Sequence, residues 1–301
     1  MGPFLQEIHE PAAAARGVRL LLWRDDLVSP DLPGNKARKL KYNLLEARRQ
    51  GHGRLLTFGG AYSNHLAAVA AAGRRHGFAT VGLVRGEAVP PLNPTLTRCV
   101  ADGMALHYLD RATYRRRFEP GFLADMQEAF GPAYLLPEGG TNLLALKGMA
   151  ELVAEIRQQV AFDALAVAVG TGGTLAGLLT GLAGTESAVG VAALKGGGFL
   201  RTDIDALTRA ATGQVFTNYL LATDYHFGGY AKYAVDLLAF IQLFEARHGV
   251  LLDPIYTGKL LFGVLDLMEK GHFRPGSTVV AVHTGGLQAW AGWRERFGGE
   301  R

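Results

Sequence analysis

Cysteine is nearly absent from the sequence: Cys99 is the only one among 301 residues. One thiol cannot form an internal disulfide, and it cannot supply an iron–sulfur cluster or a zinc site built from several thiolates. A reducing compartment fits this cysteine usage best. The first 18 residues include Glu7 and Glu10 and lack the basic region and apolar core of a signal peptide. The sequence therefore predicts a cytoplasmic protein.

A strong excess of one charge sign is also missing. The chain has 31 Lys and Arg against 27 Asp and Glu, a net charge of +4, and its longest basic block is residues 115–117. So short a block is typical of a solvated face. A nucleic-acid-binding surface is therefore not expected.

The sequence lacks a continuous membrane span, although residues 164–185 contain no charged side chain. The middle of this segment reads Gly-Thr-Gly-Gly-Thr, a polar turn that interrupts the apolar run. The residues before the turn are typical of a short buried strand, and the glycines at 173, 177 and 181 would let a following helix lie close on a sheet. We therefore expect a strand, a turn and a helix here, and no membrane partner.

Motifs for metal and hydrolase chemistry are missing as well. The nine histidines show neither H-x-x-x-H nor H-E-x-x-H spacing, and no G-x-S-x-G motif is present for a nucleophilic serine. Arg24, Asp25 and Asp26 could form a catalytic cluster, but an ion pair at the end of a strand is the simpler interpretation. No metal site is predicted.

Glycine is abundant, with 40 residues, and short apolar runs alternate with longer helical patterns. Parallel strands need crossover helices, so this alternation predicts an α/β fold with mainly parallel sheets. The predicted strands are residues 20–23, 54–58, 80–84, 105–108, 134–136, 164–169, 188–194 and 278–282. The predicted helices include residues 39–50, 63–76, 143–159, 173–183, 231–248, 259–270 and 287–297. No Ser/Pro-rich linker is present, so a second domain would be inserted through close crossovers near residues 40–43 and 141–146.

Glycine turns follow several predicted strands, at the edge where parallel sheets bind ligands. One turn leads into Ser63, Asn64 and His65, although serine and asparagine are also common helix N-caps. Another places Thr284 between His283 and two glycines, and Tyr256 lies at a turn before a further helix. Each of these turns also has a purely structural interpretation.

The turn from Gly170 to Thr174 is more specific. Consecutive backbone N–H groups and the positive end of the following helix can hold a phosphate. Leu175 stands where the third glycine of a dinucleotide fingerprint is required, and the G-K-[ST] of a P-loop is absent. The turn is therefore a candidate site for one compact phosphate monoester, with a plain tight turn as the alternative.

A lysine-rich segment, LPGNKARKLKY, places Lys36, Lys39 and Lys41 near a predicted helix start. Cations at a helix N-terminus oppose the helix macrodipole, although a merely basic helix start remains an alternative. A lysine that must attack a carbonyl group as a nucleophile would explain the exception. Spacing alone does not choose among the three lysines.

A lysine and a monophosphate site are what pyridoxal phosphate requires. In order and approximate spacing, the segments PGNKARKLKYNLLEA, FGGAYSNH, VGTGGTLAG, LLDPIYTGK and HTGG resemble the pyridoxal-phosphate enzymes grouped as 1-aminocyclopropane-1-carboxylate deaminase and D-cysteine desulfhydrase, of the tryptophan-synthase-β fold type. The resemblance implies two open, mainly parallel twisted sheets flanked by helices and a homodimer. It also implies that the cofactor, pyridoxal 5'-phosphate, lies in the cleft between a large domain (residues 1–42 and 146–301) and a smaller inserted α/β domain (residues 43–145).

Matched position by position, the resemblance assigns the lysine that holds the cofactor as a Schiff base to Lys36. The asparagine beside the cofactor matches Asn64. The phosphate cup matches Gly170, Thr171, Gly172, Gly173 and Thr174. The residues near the substrate match Ser63, Asn64, His65 and Tyr256. A second family tyrosine matches Tyr230 or Tyr233, in either case only with a shift.

Two positions separate the activities of the family. Deaminases of the cyclopropane substrate have Glu after the tyrosine and Leu after the histidine, whereas this chain has Thr257 and Thr284, like the desulfhydrases. A carboxylate facing the pyridine nitrogen keeps it protonated and makes the ring a strong electron sink. A hydroxyl leaves the nitrogen largely neutral, which suffices when a thiolate departs from Cβ. The threonines therefore favour β-elimination.

The resemblance thus predicts a pyridoxal-phosphate lyase acting on a small amino acid, with Lys36, Ser63 and Tyr256 as catalytic residues. Its leading reaction converts D-cysteine to pyruvate, sulfide and ammonia. The alternatives are 1-aminocyclopropane-1-carboxylate deamination, another deaminating or eliminating reaction, or cofactor binding without turnover.

Overall fold

The computed structural model describes residues 4–28, 32, 34–287 and 290. This part of the chain contains ten β-strands and eleven α-helices. The strands are β1 (Leu5–Ile8), β2 (Arg19–Arg24), β3 (Arg54–Gly60), β4 (Ala79–Arg85), β5 (Met104–Leu109), β6 (Tyr134–Leu136), β7 (Ala164–Val169), β8 (Ser187–Ala192), β9 (Tyr219–Ala222) and β10 (Thr278–His283). The helices are α1 (Pro11–Ala15), α2 (Asn35–Arg49), α3 (Asn64–His76), α4 (Pro94–Ala101), α5 (Arg111–Arg115), α6 (Pro120–Phe130), α7 (Leu143–Arg157), α8 (Gly173–Leu182), α9 (Leu200–Thr212), α10 (Val235–His248) and α11 (Thr257–Glu269).

Contacts divide the chain into two compact units. The first unit contains the residues up to Asn35 together with Asn142–Leu287, and the second contains Lys36–Thr141. The domain boundaries that the sequence predicts, after residues 42 and 145, differ from this division by a few residues. The two predicted domains, residues 1–42 with 146–301 and residues 43–145, therefore stay a prediction.

The first unit is built on a six-stranded sheet with the order β1-β2-β10-β7-β8-β9. Strand β1 pairs antiparallel with β2, and the other neighbours pair in parallel. Every residue of β7 is buried, as expected for a central parallel strand that is covered on both faces. Because β7 and β10 are parallel neighbours, the turns after Val169 and His283 leave the same edge of the sheet.

Helix α8 packs closely on helix α7 in this unit. A Cβ atom on Gly177 would lie 2.4 Å from Met149 Cβ, and one on Gly181 would lie 2.7 Å from the Ala150 carbonyl oxygen. The expectation that these glycines bring the helix onto a sheet is therefore wrong. Gly177 and Gly181 face α7, and α7 lies so close that a side chain at either position would collide with it.

The second unit contains a four-stranded parallel sheet with the order β5-β4-β3-β6. Its core includes Leu56 and Phe58 of β3, and the Phe58 ring meets Tyr114 edge-on with centroids 6.1 Å apart. Strand β3 ends at Gly60, shortly before helix α3 begins. The carboxyl end of β3 therefore delivers Ser63 and Asn64 to one edge of this sheet.

The predicted α/β fold with two mainly parallel sheets is confirmed. All eight predicted strands are present, and the charge-free segment forms β7, a turn and α8 as expected. Arg24 at the end of β2 pairs with Asp26 at 2.8 Å, which is the predicted strand-end ion pair. The predicted helix 287–297 falls outside the described residues except for 287 and 290. Among the described residues, no helix has the length and apolar character that crossing a membrane requires.

Candidate active site

The turn after β7 forms a nest of backbone N–H groups. Gly172 is the N-cap of α8 and has a φ of 80°, a conformation that glycine adopts without strain. Within the described part of the chain, the N-cap residue of this helix makes no side-chain capping bond, and the first turn carries no acidic residue. The first N–H groups of α8 are therefore open to an anion, which the positive end of the helix also favours.

Asn35 connects this nest to the end of β10. Its side-chain amide donates to Thr174 Oγ1 at 2.9 Å, and its backbone N–H donates to the Thr284 carbonyl oxygen at 3.4 Å. Gly34 permits this approach, because a Cβ atom there would lie only 1.9 Å from the Thr284 oxygen. The residue directly before Lys36 is thus fixed both to the phosphate-type nest and to Thr284.

Lys36 lies in the first turn of α2 and is half-buried. Burial lowers the pKa of its amine from 10.5 to about 8. With that pKa, about one amine in ten is neutral at pH 7, against fewer than about one in a thousand for an ordinary lysine. Lys36 can therefore act as a nucleophile near neutral pH.

The two neighbouring lysines have different surroundings. Lys39 is buried, and its amine donates to the Gly139 carbonyl oxygen at 3.2 Å and to Thr141 Oγ1 at 3.3 Å. Burial and the charge of Lys36 hold the Lys39 pKa well below its usual value. Lys41 is exposed and lies over the Tyr42 ring. Lys39 is thus held by oxygen acceptors, and Lys41 has the environment of an ordinary surface lysine.

Ser63 caps helix α3. Its Oγ accepts hydrogen bonds from the backbone N–H groups of His65 and Leu66, both at 3.2 Å. The structural interpretation of this motif is therefore correct for Ser63. A capping hydroxyl keeps its own proton available for donation, so the cap leaves a role toward a ligand open.

His65 points into the second unit and is 2% exposed. Thr57 Oγ1 donates to the Leu136 carbonyl oxygen at 3.0 Å, so the 2.9 Å contact with His65 Nε2 assigns the ring proton to Nε2. Burial and the charges of Lys36 and Lys39 hold the His65 pKa well below its usual range. The imidazole is therefore neutral, and its buried Nδ1 has no hydrogen-bond partner among the described residues.

Tyr256 is placed by Asp253. The Asp253 carboxylate accepts the backbone N–H groups of Ile255 at 2.9 Å, Tyr256 at 2.8 Å and Thr257 at 2.9 Å. Tyr256 is the N-cap of α11, and a Cβ atom on Gly170 would lie 3.1 Å from its hydroxyl. The tyrosine therefore lies against the start of the nest.

Tyr230 accompanies Tyr256, with ring centroids 6.1 Å apart in an edge-on arrangement. Tyr230 therefore lies beside Tyr256, and the choice between Tyr230 and Tyr233 as the second family tyrosine stays a prediction. Neither Tyr230 nor Asp253 was chosen as a site residue from the sequence. The Asp-Pro pair in LLDPIYTGK is a turn signal that could have indicated Asp253.

The two threonines differ in what their hydroxyl groups do. Thr257 is fully buried; its Oγ1 donates to Asp253 Oδ2 at 2.6 Å and accepts the Asp253 N–H at 2.7 Å. Thr284 is half-buried, and its hydroxyl makes no hydrogen bond within the part of the chain that the structure describes. The proton of Thr257 is therefore already engaged, and Thr284 is the threonine that can donate to a ligand.

Comparisons with known proteins show which proteins this chain is similar to. The chain matches the family described as pyridoxal-phosphate dependent enzyme over residues 6–285. It is 32% identical to D-cysteine desulfhydrase of Klebsiella pneumoniae, covering 91% of this chain and 88% of that protein. It is also 32% identical to a Pyrococcus furiosus protein provisionally named 1-aminocyclopropane-1-carboxylate deaminase, covering 90% and 85%.

A solved structure extends the likeness to three dimensions. The crystal structure of a protein described as an ACC deaminase homologue superposes with a TM-score of 0.85 and 28% identity, covering 97% of this chain and 91% of that one. The family match spans nearly the whole chain, including the nest, the lysine segment and the Tyr256 turn. The chain belongs to the family of pyridoxal-phosphate-dependent enzymes.

Proposed function

We propose that the protein is a pyridoxal-phosphate-dependent lyase that converts D-cysteine and water to pyruvate, sulfide and ammonia. The observation that carries the choice of reaction is the pair Thr257 and Thr284, where the deaminases that the sequence resembles carry Glu and Leu. The relative named D-cysteine desulfhydrase supports the same choice.

The residues present fit the cofactor. The open N–H groups at the start of α8 suit a phosphate, and Asn35 ties the residue before Lys36 to Thr174 of that nest. We assign phosphate binding to residues 170–174, covalent attachment to Lys36, and a place beside the ring to Asn64. When bound, pyridoxal phosphate withdraws electrons from the α-carbon of the amino acid.

Lys36 has two tasks in this proposal. Its amine holds the cofactor, and after substrate displaces it, the amine takes the α-proton. Both tasks need the neutral amine, which the lowered pKa of about 8 makes available. The burial that lowers the pKa is thus the feature that suits Lys36 to these tasks.

Ser63, Asn64, His65 and Tyr256 complete the substrate side. The Ser63 hydroxyl keeps a proton for the substrate carboxylate, and the Tyr256 hydroxyl lies at the nest, where it can assist proton transfer. The His65 imidazole is buried, and the His65 backbone N–H donates to Ser63 Oγ, so His65 lies next to the hydroxyl that we propose for the substrate carboxylate.

Thr284 is the partner we propose for the pyridine nitrogen. Its hydroxyl is available, whereas the Thr257 proton is engaged by Asp253. A neutral hydroxyl donor stabilises less negative charge on the ring than a protonated nitrogen does, which is sufficient for loss of a thiolate. Thr257 then acts indirectly, by fixing the turn that carries Tyr256.

The proposal is tested by screening D- and L-amino acids for keto-acid release with the cofactor-loaded protein. We expect D-cysteine to give the highest activity, with sulfide formed alongside pyruvate. Efficient ring opening of 1-aminocyclopropane-1-carboxylate would establish the alternative deaminase. A protein that binds the cofactor but releases no keto acid from any amino acid would be a carrier without turnover.

We further propose that the protein works in the cytoplasm as a homodimer. The single buried cysteine supports a reducing compartment, and the dimer follows from the family resemblance. Light scattering coupled to gel filtration tests the dimer directly, and a monomeric mass would contradict it.

A further inference from the structure

Lys259 is a buried cation for which the proposed reaction has no use. Its side chain is 0% exposed, yet its amine has three backbone acceptors. The amine donates to the carbonyl oxygens of His226 and Gly229, each at 2.8 Å, and of Ala193 at 3.4 Å. An ammonium group has three donors and no acceptor, so these three carbonyls match it completely.

Two of these carbonyls belong to a segment that has little regular structure of its own. Between β9 and α10, Phe227, Gly228, Gly229 and Ala231 all have positive φ values, of 49°, 92°, 119° and 53°. For Phe227 and Ala231, which are not glycines, a positive φ persists only where surrounding contacts determine it. Two of the three carbonyls that Lys259 holds lie in this segment, at residues 226 and 229.

Helix α11 supplies the other anchors of the same segment. The Phe227 ring meets Phe262 edge-on at 5.0 Å, and the Tyr225 hydroxyl donates to Asp266 at 2.6 Å. The contacts of Phe262 and Asp266 reach residues 227 and 225, whereas Lys259 reaches Gly229, the residue directly before Tyr230. Tyr256 caps the same helix and lies beside Tyr230. Lys259 therefore links the two tyrosines through one helix.

We propose that Lys259 is a positioning residue whose ammonium, held by three carbonyl oxygens, fixes Tyr230 against Tyr256 and so shapes the substrate side of the site. The role of Tyr230 toward substrate rests on the proposed function. The tie between Lys259 and residues 225–230 rests on the hydrogen bonds alone.

The charge state of Lys259 agrees with this role. Burial lowers the pKa of the amine to about 8, while the Asp253 carboxylate opposes that shift. At pH 7 most molecules therefore carry the ammonium with its full set of donors. Removing the amine leaves the three carbonyl oxygens without their donor. A small cation that binds between these oxygens can take the place of the amine.

The first test is hydrogen–deuterium exchange of residues 223–233 in the purified protein without substrate. In Lys259→Met we expect exchange in this segment to rise roughly tenfold or more, because the segment loses its anchor. Ammonium chloride, but not tetramethylammonium chloride, is expected to restore part of the protection, since only the smaller ion fits the carbonyl cage. Lys232→Met is the matched control, because it removes an exposed lysine from the same segment.

The second test is kinetic. We expect Lys259→Met to raise KM for D-cysteine roughly tenfold while kcat changes less and the cofactor stays bound. Lys259→Gln keeps two hydrogen-bond donors, so its KM and its exchange rate are expected to lie between those of wild type and of Lys259→Met. It replaces Lys259→Met in both tests if the methionine variant does not fold. Unchanged exchange in residues 223–233 of both variants would overturn the tie, whatever the substrate is. If the wild-type enzyme releases no sulfide, the proposed function fails, and the exchange measurement still decides the role of Lys259.

Discussion

Burial gives Lys36 a reactivity that Lys41 does not share. A neutral amine is the nucleophile, so the rate of attack on an aldehyde follows the fraction of lysine that has lost its proton. Lys36, with a pKa of about 8, therefore gains reactivity as pH rises, is half reactive near pH 8 and approaches its full reactivity at about pH 9. An ordinary lysine reaches that state only at about pH 11.

We predict that cofactor-free protein treated with pyridoxal phosphate and borohydride is labelled at Lys36. Labelling at fixed time is expected to rise between about pH 7 and 9, with its midpoint near the pKa of about 8, and to level off above about pH 9. Lys36→Ala is expected to lose the label and turnover, whereas Lys41→Ala retains both. Peptide mapping that places the label on Lys39 or Lys41 would refute the assignment.

Substitutions at the two threonines are expected to differ in effect, with Thr257→Val lowering stability and Thr284→Val lowering activity. Thr257→Val removes the hydroxyl that bonds Asp253 and leaves part of a buried carboxylate unsatisfied. We expect it to lower the free energy of unfolding by about 1–3 kcal/mol. Thr284→Val loses no hydrogen bond seen in the described residues, so its stability is expected to change by less than about 0.5 kcal/mol while sulfide release slows. Urea unfolding and sulfide assays on both variants check this, and the reverse order of effects would contradict the assignment of roles.

Among the elements, the start of α8 carries the phosphate site that we propose. Gly172 has a positive φ, and a Cβ atom there would lie 3.0 Å from Ile204 Cγ1. A valine at this position must either shift the turn or push Ile204, and both changes disturb the N–H groups of the nest.

We predict that Gly172→Val raises the dissociation constant for pyridoxal phosphate at least about tenfold. Gly198→Val is the control, because Gly198 is exposed, has open space around its Cα and no positive φ. Equilibrium dialysis measures both variants. Equal cofactor affinity in wild type and Gly172→Val would show that the phosphate binds elsewhere.

The two strands that the sequence did not predict share a physical reason. Strands β1 and β9 are four residues long and lie at the two edges of the first sheet. Both have buried residues only at their ends, so neither shows a continuous apolar run or strict alternation. The interior strands such as β7 are buried throughout, and their apolar runs made them predictable.

At the scale of the whole molecule, the site depends on contacts between distant parts of the chain. The bond between Asn35 and Thr174 joins residues 139 positions apart, and no local pattern indicates it. The nest and the lysine segment were predictable, because each carries a local glycine or charge pattern. The choice among Lys36, Lys39 and Lys41 came from the family resemblance. That the Thr257 hydroxyl is engaged, unlike that of Thr284, follows only from the position of Asp253 in the structure.

The same contacts bear on how specificity could be changed. A glutamate in place of Thr257 would bring a second carboxylate next to buried Asp253 and repel it. We predict that the double variant Thr257→Glu with Thr284→Leu is less stable than Thr284→Leu alone. We also predict that it lowers the ratio of kcat/KM for D-cysteine to kcat/KM for 1-aminocyclopropane-1-carboxylate without reversing it. Thermal unfolding and kcat/KM for both substrates measure this, and full conversion without loss of stability would contradict the account.

The central claim is that Lys36 and its cofactor catalyse β-elimination from D-cysteine. The most direct measurement is kcat/KM of the cofactor-loaded wild-type enzyme for D-cysteine and for 1-aminocyclopropane-1-carboxylate, with Lys36→Ala as control. We expect sulfide and pyruvate in equal amounts from D-cysteine, little ring opening, and no product with Lys36→Ala. Ring opening as efficient as sulfide release, or sulfide release that survives in Lys36→Ala, would contradict it.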